Sequence, residues 1–271
     1  MVMTEEQIPL NGEYFSLDGE TLVPEQIAVS GWGENLLFGP AVTAALARGA
    51  ELACPAPGLQ PAKASFDLFR PARMEPSRVR TAVVRCGRRL CLIDATFVQG
   101  DLEVARAQVT FLRPSSDPVG ALWRPRSDIV VPEGSLTPDV KGRLYKSVHG
   151  WSGNAGDHMN ESRKQVWQVH HPLVRGELPT PFQLAAAASD LTSLVVHWGA
   201  AGIENINPDV TLTLSRMPNG SGIGLKAAQI TSSAGISAGS AILFDEAGVF
   251  GSSSVSGLAN GGHVAQVRSD L

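Results

Sequence analysis

Positive charge and cysteine are in short supply in this chain, and each shortage excludes something. Lysine and arginine number 22 against 26 acidic residues, a formal charge of −4, so there is no electrostatic case for nucleic acid or an anionic membrane surface. The arginines spread over 70–89 are the one basic concentration, and strand-like sequence there makes a solvated sheet face the simplest reading. The three cysteines, Cys54, Cys86 and Cys91, are odd in number and lack metal-ligand spacing, which suits small core residues of a reducing compartment. No hydrophobic run reaches the roughly 20 residues of a membrane span. The nearest, 181–198, is interrupted by Gln183, Asp190 and His197. The start, MVMTEEQIPLNGEY, is acidic and polar, unlike a secretory or mitochondrial leader. Together these features lead us to expect a soluble cytoplasmic protein. Glycine-rich phosphate loops and the glycine-flanked serine of a nucleophile elbow are missing too.

What is present is an apolar content of 43% with 18% charged residues, the balance of a folded globular chain. Its most informative stretch is PFQLAAAASDLTSLVVHW, 181–198. It reads as one long helix, with Thr180 able to cap the first turn, Pro181 at the first helical position and Gly199 ending it. Such a helix, apolar on every side, must be wrapped by other elements. A carboxylate within it, Asp190, is costly to bury unless bonded, paired or open to a wet cleft. The bland alternative puts Asp190 on a solvent stripe or against Thr192 or Ser193. A second helix is expected over 37–53, LFGPAVTAALARGAELA, with Pro40 in its first turn and Cys54-Pro-Ala-Pro-Gly58 terminating it.

Between and after these helices the hydrophobic period falls to two. Residues 13–30 suit a hairpin or two short strands. Four strands are expected within 62–112, the last three joined by connections so short that they must form an antiparallel meander. Residues 113–164 are rich in Pro, Ser, Gly and Asp and read as a long connection with little regular structure, which marks a boundary. Past it the order returns: a strand over 166–174, the 181–198 helix, then strands at 209–216, 222–233, 234–244 and 248–257, with HVAQV, 263–267, as a possible edge. Internal repetition of this kind takes precedence over any single motif. It predicts an α+β fold of two units, 1–114 and 165–271, joined by 115–164, each a long apolar helix on a curled antiparallel sheet.

Several stretches carry a resemblance to a known family. SFDLFRPARMEPSRVRTAVVRCGRRLCLIDATFVQGDLEVARAQVTFLR and LFGPAVTAALARGAEL in the first half, with ASDLTSLV, NPDVTLTLSRMPNG and ILFDEAGVFG in the second, resemble the bacterial acyl-CoA thioesterase II family and its actinobacterial relatives. Those proteins are double hotdogs, two tandem units of helix wrapped by sheet. The resemblance implies hydrolysis of acyl-CoA to free acid and coenzyme A, no cofactor, and a homodimer formed by edge-to-edge joining. It also gives the 70–89 arginines a minority role at the phosphates of coenzyme A. The family holds its attacking water with an aspartate on the second helix, a threonine or serine before the next strand, and a glutamine on a late strand. Carried over, these fall on Asp190, on Asn207, and on Val255 or Ser256, of which Ser256 is the polar candidate. Gln266 lies further along the chain.

The chemistry can be weighed on its own terms. Thioester hydrolysis needs a positioned water, a base and donors for the oxyanion. Desolvation on an apolar helix would raise the Asp190 pKa toward a working range. Backbone N–H groups at the start of the 37–53 helix would face developing negative charge, with Gly39 and Ala41 the candidates because Pro40 has no N–H. The histidines give no metal site. His170 and His171 are adjacent and face opposite ways on a strand, His149, His158 and His263 lie outside the regular elements, and His197 is two turns from Asp190. A protein of the same fold that binds acyl thioesters or acts as an assembly partner without turnover is the alternative. A hydratase would need an Asp–His dyad that this spacing does not offer.

Overall fold

The computed structural model describes residues 12–123, 128–133, 142–169, 171–220, 222–265 and 267. Two small hairpins come first, β1 (Phe15–Asp18) with β2 (Thr21–Pro24), and β3 (Val29–Ser30) with β4 (Gly33–Leu37). Helix α1 (Gly39–Ala53) follows, then β5 (Gln60–Asp67), β6 (Arg78–Cys86), β7 (Leu90–Gln99) and β8 (Leu102–Leu112). The later elements are β9 (Arg143–Lys146), β10 (Gln165–Val169), α2 (Pro181–Asp190), α3 (Thr192–His197), β11 (Trp198–Gly199), β12 (Gly202–Ile203) and β13 (Asn205–Ile206). The chain closes on β14 (Asp209–Leu214), β15 (Gly222–Ser233), β16 (Ile236–Asp245) and β17 (Gly248–Ala259).

One large antiparallel sheet runs in the order β6-β7-β8-β5-β14-β17-β16-β15-β10-β9. At its centre β5 pairs with β14, Ser65 opposite Thr211. Outward from that seam, β5, β8, β7 and β6 on one side correspond in order to β14, β17, β16 and β15 on the other. The expected meanders are therefore present in both halves. Alternation does the packing: along β8, Val104, Ala107, Val109 and Phe111 are buried while Glu103, Arg106 and Gln108 are exposed. Helix α1 lies against β6, β7 and β8, and α3 against β15, β16 and β17.

The two helical layers meet through α1 and α2. Their contacting faces are mostly alanine, with Ala41, Ala44, Ala45, Ala185, Ala186 and Ala188 all buried, and such short side chains let two backbones approach closely. Thr43 pins the crossing, its Oγ1 donating to the Ala186 carbonyl at 2.9 Å. At one end of the pair, Glu51 accepts hydrogen bonds from Thr180 Oγ1 at 2.7 Å and Gln183 Nε2 at 3.0 Å. Beside it Arg48 makes a bidentate pair with Glu177 at 2.6 and 2.7 Å.

Two expectations are corrected. The 181–198 helix is two helices, broken at Leu191, whose ψ is −2° and whose N–H turns back to Ala188 and Ser189 carbonyls; the second ends at His197 and Trp198 enters a strand. The regular structure described in the connection is β9, which pairs antiparallel with β10, and a short 3-10 turn at Ala155–His158. The first helix starts at Gly39, two residues late. At the C-terminus Ala265 bridges Ile203, while Gln266 lies outside the described residues, as do His170 and the first eleven residues. No helix among the described residues is long and apolar enough to cross a membrane.

Candidate active site

Asp190 is the last residue of α2, and the break at Leu191 directly after it opens the carboxylate to a cavity of about 560 Å³. Trp32, Phe38, Phe69, Leu194, Ile203 and Ile206 are among its apolar walls. Its polar side chains are fewer: Ser30, Arg70, Arg143, Asp190, Ser193, Asn207 and Asn260. An apolar cleft with a handful of placed polar groups is the usual form of a small-molecule site.

The carboxylate is held from two directions. Asn207, in the turn between β13 and β14, donates from Nδ2 to Asp190 Oδ1 at 3.1 Å. Gly39, at the start of α1, packs directly on the carboxylate: a Cβ at that position would lie 2.7 Å from Asp190 Cγ, closer than real Cβ atoms come. Glycine is required there by contact rather than by backbone torsion. Burial pushes the Asp190 pKa up to about 6, with the Asn207 hydrogen bond and the Arg143 charge pulling back only part of the shift. Tyr14, buried nearby, has its hydroxyl pushed up to about 12 by burial, an effect moderated by Arg143 and reinforced by Asp190.

The residues expected from sequence divide into those the fold brings together and those it does not. Asp190, Asn207 and Gly39 meet at one end of the cavity. Ala41 does not serve as an oxyanion donor, because its N–H is bonded to the Phe38 carbonyl at 3.0 Å. Ser256 on β17 is turned away, its hydroxyl donating to the Asp209 carboxylate and its N–H to Asp209 Oδ1 at 3.2 Å, and it is not part of the cavity wall. Val255 is buried in the core. His197 has no contact with Asp190; its Nδ1 meets Ser193 Oγ at 3.0 Å and its Nε2 meets Ser237 Oγ at 2.8 Å.

Arg143 is a charged cavity residue that the sequence reading missed. Arg143 lies in the segment read as irregular, and a lone arginine in aperiodic sequence carries no signal of burial. Its only clue was β9 itself, a four-residue strand too short to show a period.

Sheet and helices together define a hotdog fold. Residues 28–112 match the acyl-CoA thioesterase N-terminal domain. The TesB protein of Mycobacterium avium subsp. paratuberculosis is similar in structure at 15% identity, with 90% of this chain and 95% of that one covered and a TM-score of 0.66. The acyl-CoA thioesterase II TesB2 of Mycobacterium marinum aligns over 92% and 95% at 17% identity, TM-score 0.62. A hotdog-fold protein of unknown function from Alicyclobacillus acidocaldarius aligns over 90% and 95% at 15% identity, TM-score 0.67. At these identities the likeness is one of fold. No curated protein sequence matches the chain.

Proposed function

We propose that this protein hydrolyses acyl-CoA thioesters, as a tandem pair of hotdog units with one reacting centre at Asp190. The observation that carries the reading is a carboxylate with its pKa raised to about 6, set against a glycine at a helix N-terminus inside an apolar cavity. A base poised near neutrality works best close to its own pKa. Asp190 takes a proton from a water that attacks the thioester carbonyl carbon. Asn207 fixes the carboxylate through Oδ1, leaving Oδ2 toward Gly39 for that water. The Gly39 N–H, at the positive end of α1, meets the oxyanion. Collapse of the tetrahedral intermediate breaks the carbon–sulfur bond, and the proton held by Asp190 passes to the departing thiolate.

The test is coenzyme A release from acyl-CoAs of several lengths by wild type and Asp190→Asn. Loss of a positioned base should lower kcat by about 10²–10⁴ with the fold retained. For the wild type, kcat/KM should rise with pH through about 6 and then level off, since the ionised carboxylate is the active form. Turnover indifferent to Asp190→Asn would remove Asp190 from the mechanism. The engagement of Ser256 by Asp209 favours one alternative, a binding protein without turnover, which would show acyl-CoA raising the melting temperature and no thiol release. Pairing of two chains along the open edge at β6 extends the reading to a homodimer, and a monomeric sedimentation coefficient at micromolar concentration would count against it.

A further inference from the structure

Arg143 presents a buried cation to the cavity with most of its hydrogen-bonding capacity unused among the described residues. The residue is 5% exposed. Register across β9 and β10 sets it opposite Gln168, and its Nε donates to Gln168 Oε1 at 2.6 Å. Its two terminal nitrogens have no hydrogen-bond partner among the described residues, and the side chain forms part of the cavity wall. The guanidinium sits over the Phe38 ring, 5.8 Å from its centroid. Phe38 immediately precedes Gly39, which touches Asp190, so cation and carboxylate share one end of the cavity. They do not form an ion pair within 4.0 Å. Gln168 is neutral, the ring supplies only a weak field, and Asp190 acts on the cation from beyond ion-pair distance, so the guanidinium keeps terminal donors that an entering anion would take. Guanidinium is also the group best shaped to take a carboxylate through two parallel N–H donors.

We propose that Arg143 recognises a carboxylate carried by the acyl group, making short dicarboxylic acid monothioesters of coenzyme A the substrates. The inference rests on the thioesterase reading and adds the substrate class. The phosphates of coenzyme A are the wrong source of the anion, because the whole pantetheine arm separates them from a thioester placed at Asp190. Proximity of Arg143 to the reacting end also limits the acyl group to a few carbons. The rival within reach is the oxyanion of the tetrahedral intermediate, which every acyl-CoA forms alike.

Glutaryl-CoA and valeryl-CoA separate the two, differing only in the terminal carboxylate. Wild type should favour glutaryl-CoA in kcat/KM by about 10- to 100-fold, the range of a charge-assisted hydrogen-bonded pair. Arg143→Met should erase or invert that preference, and Arg143→Lys should fall between. A wild type that prefers valeryl-CoA, or a methionine variant that loses both substrates equally, would overturn the proposal. Should Arg143→Met fail to fold by circular dichroism, the wild-type preference still decides. If neither thioester is hydrolysed, calorimetry with the thioethers S-(4-carboxybutyl)-CoA and S-pentyl-CoA reads recognition apart from turnover. Tighter binding of the carboxylated analogue would keep the role of Arg143 and retire hydrolysis; equal binding would retire the role as well.

Discussion

Burial holds the Asp190 carboxyl near pKa 6, whereas the unfolded chain releases that proton near 3.8. Between those values the folded protein keeps a proton that the unfolded one has lost, so stability falls as pH rises through the window. Above it the ionised carboxylate costs about 3 kcal/mol at most, at roughly 1.4 kcal/mol per pKa unit. The true cost is smaller, because cavity water screens part of the charge. Asp190→Asn keeps an oxygen for Asn207 and removes the charge. It should raise Tm by about 4–8 °C at pH 7.5 and by almost nothing below pH 4. Thermal melts at the two pH values check this; equal gains at both would mean that charge burial is not the cause. The same carboxylate was the most legible residue in the sequence, since a single acid on an all-apolar helix has few innocent explanations. Gly39 was legible for its place at a helix start. Ala41 and Ser256 were not, because the fate of one N–H and the rotation of one hydroxyl toward Asp209 depend on neighbours that no local pattern names.

Elements were easier to read than contacts between them. The strands of β6, β7, β8 and β15 announced themselves by alternation and by turns at Gly87 and Gly100, and both helices by their apolar faces. The break at Leu191 was hidden: it lies in one ψ angle, and hydrophobicity on both sides is uninterrupted. The start of α2 was visible, and Thr180 caps it as expected, its Oγ1 accepting from the Gln183 N–H at 3.2 Å while donating to Glu51 at 2.7 Å. Burial raises the Glu51 pKa, with Thr180 and Gln183 holding it back. Thr180→Ala removes the cap and one of those restraints together. It should destabilise by about 1–2 kcal/mol, a fall in Tm of a few degrees, with thiol release unchanged because Thr180 is not part of the cavity wall. A variant that melts with wild type would show that the cap is redundant.

Across the whole molecule, the repeat read from element order reappears as the pairing of β5, β8, β7 and β6 with β14, β17, β16 and β15 about one seam. What the repeat did not reveal is that the proposed reacting centre draws on both halves, Gly39 from the first and Asp190 and Asn207 from the second. The tenth residue of α2 is Asp190 and the tenth of α1 is Arg48, so the repeat offers the same architecture twice. At the second place the α2 start meets Glu51, and Arg48 is locked to Glu177. One position is open to substrate and its twin is sealed by its own side chains. On the proposed reading the scaffold is doubled and the stoichiometry is not: a calorimetric titration with a thioether analogue should saturate at one equivalent per chain, and two equivalents would mean that the sealed twin still opens.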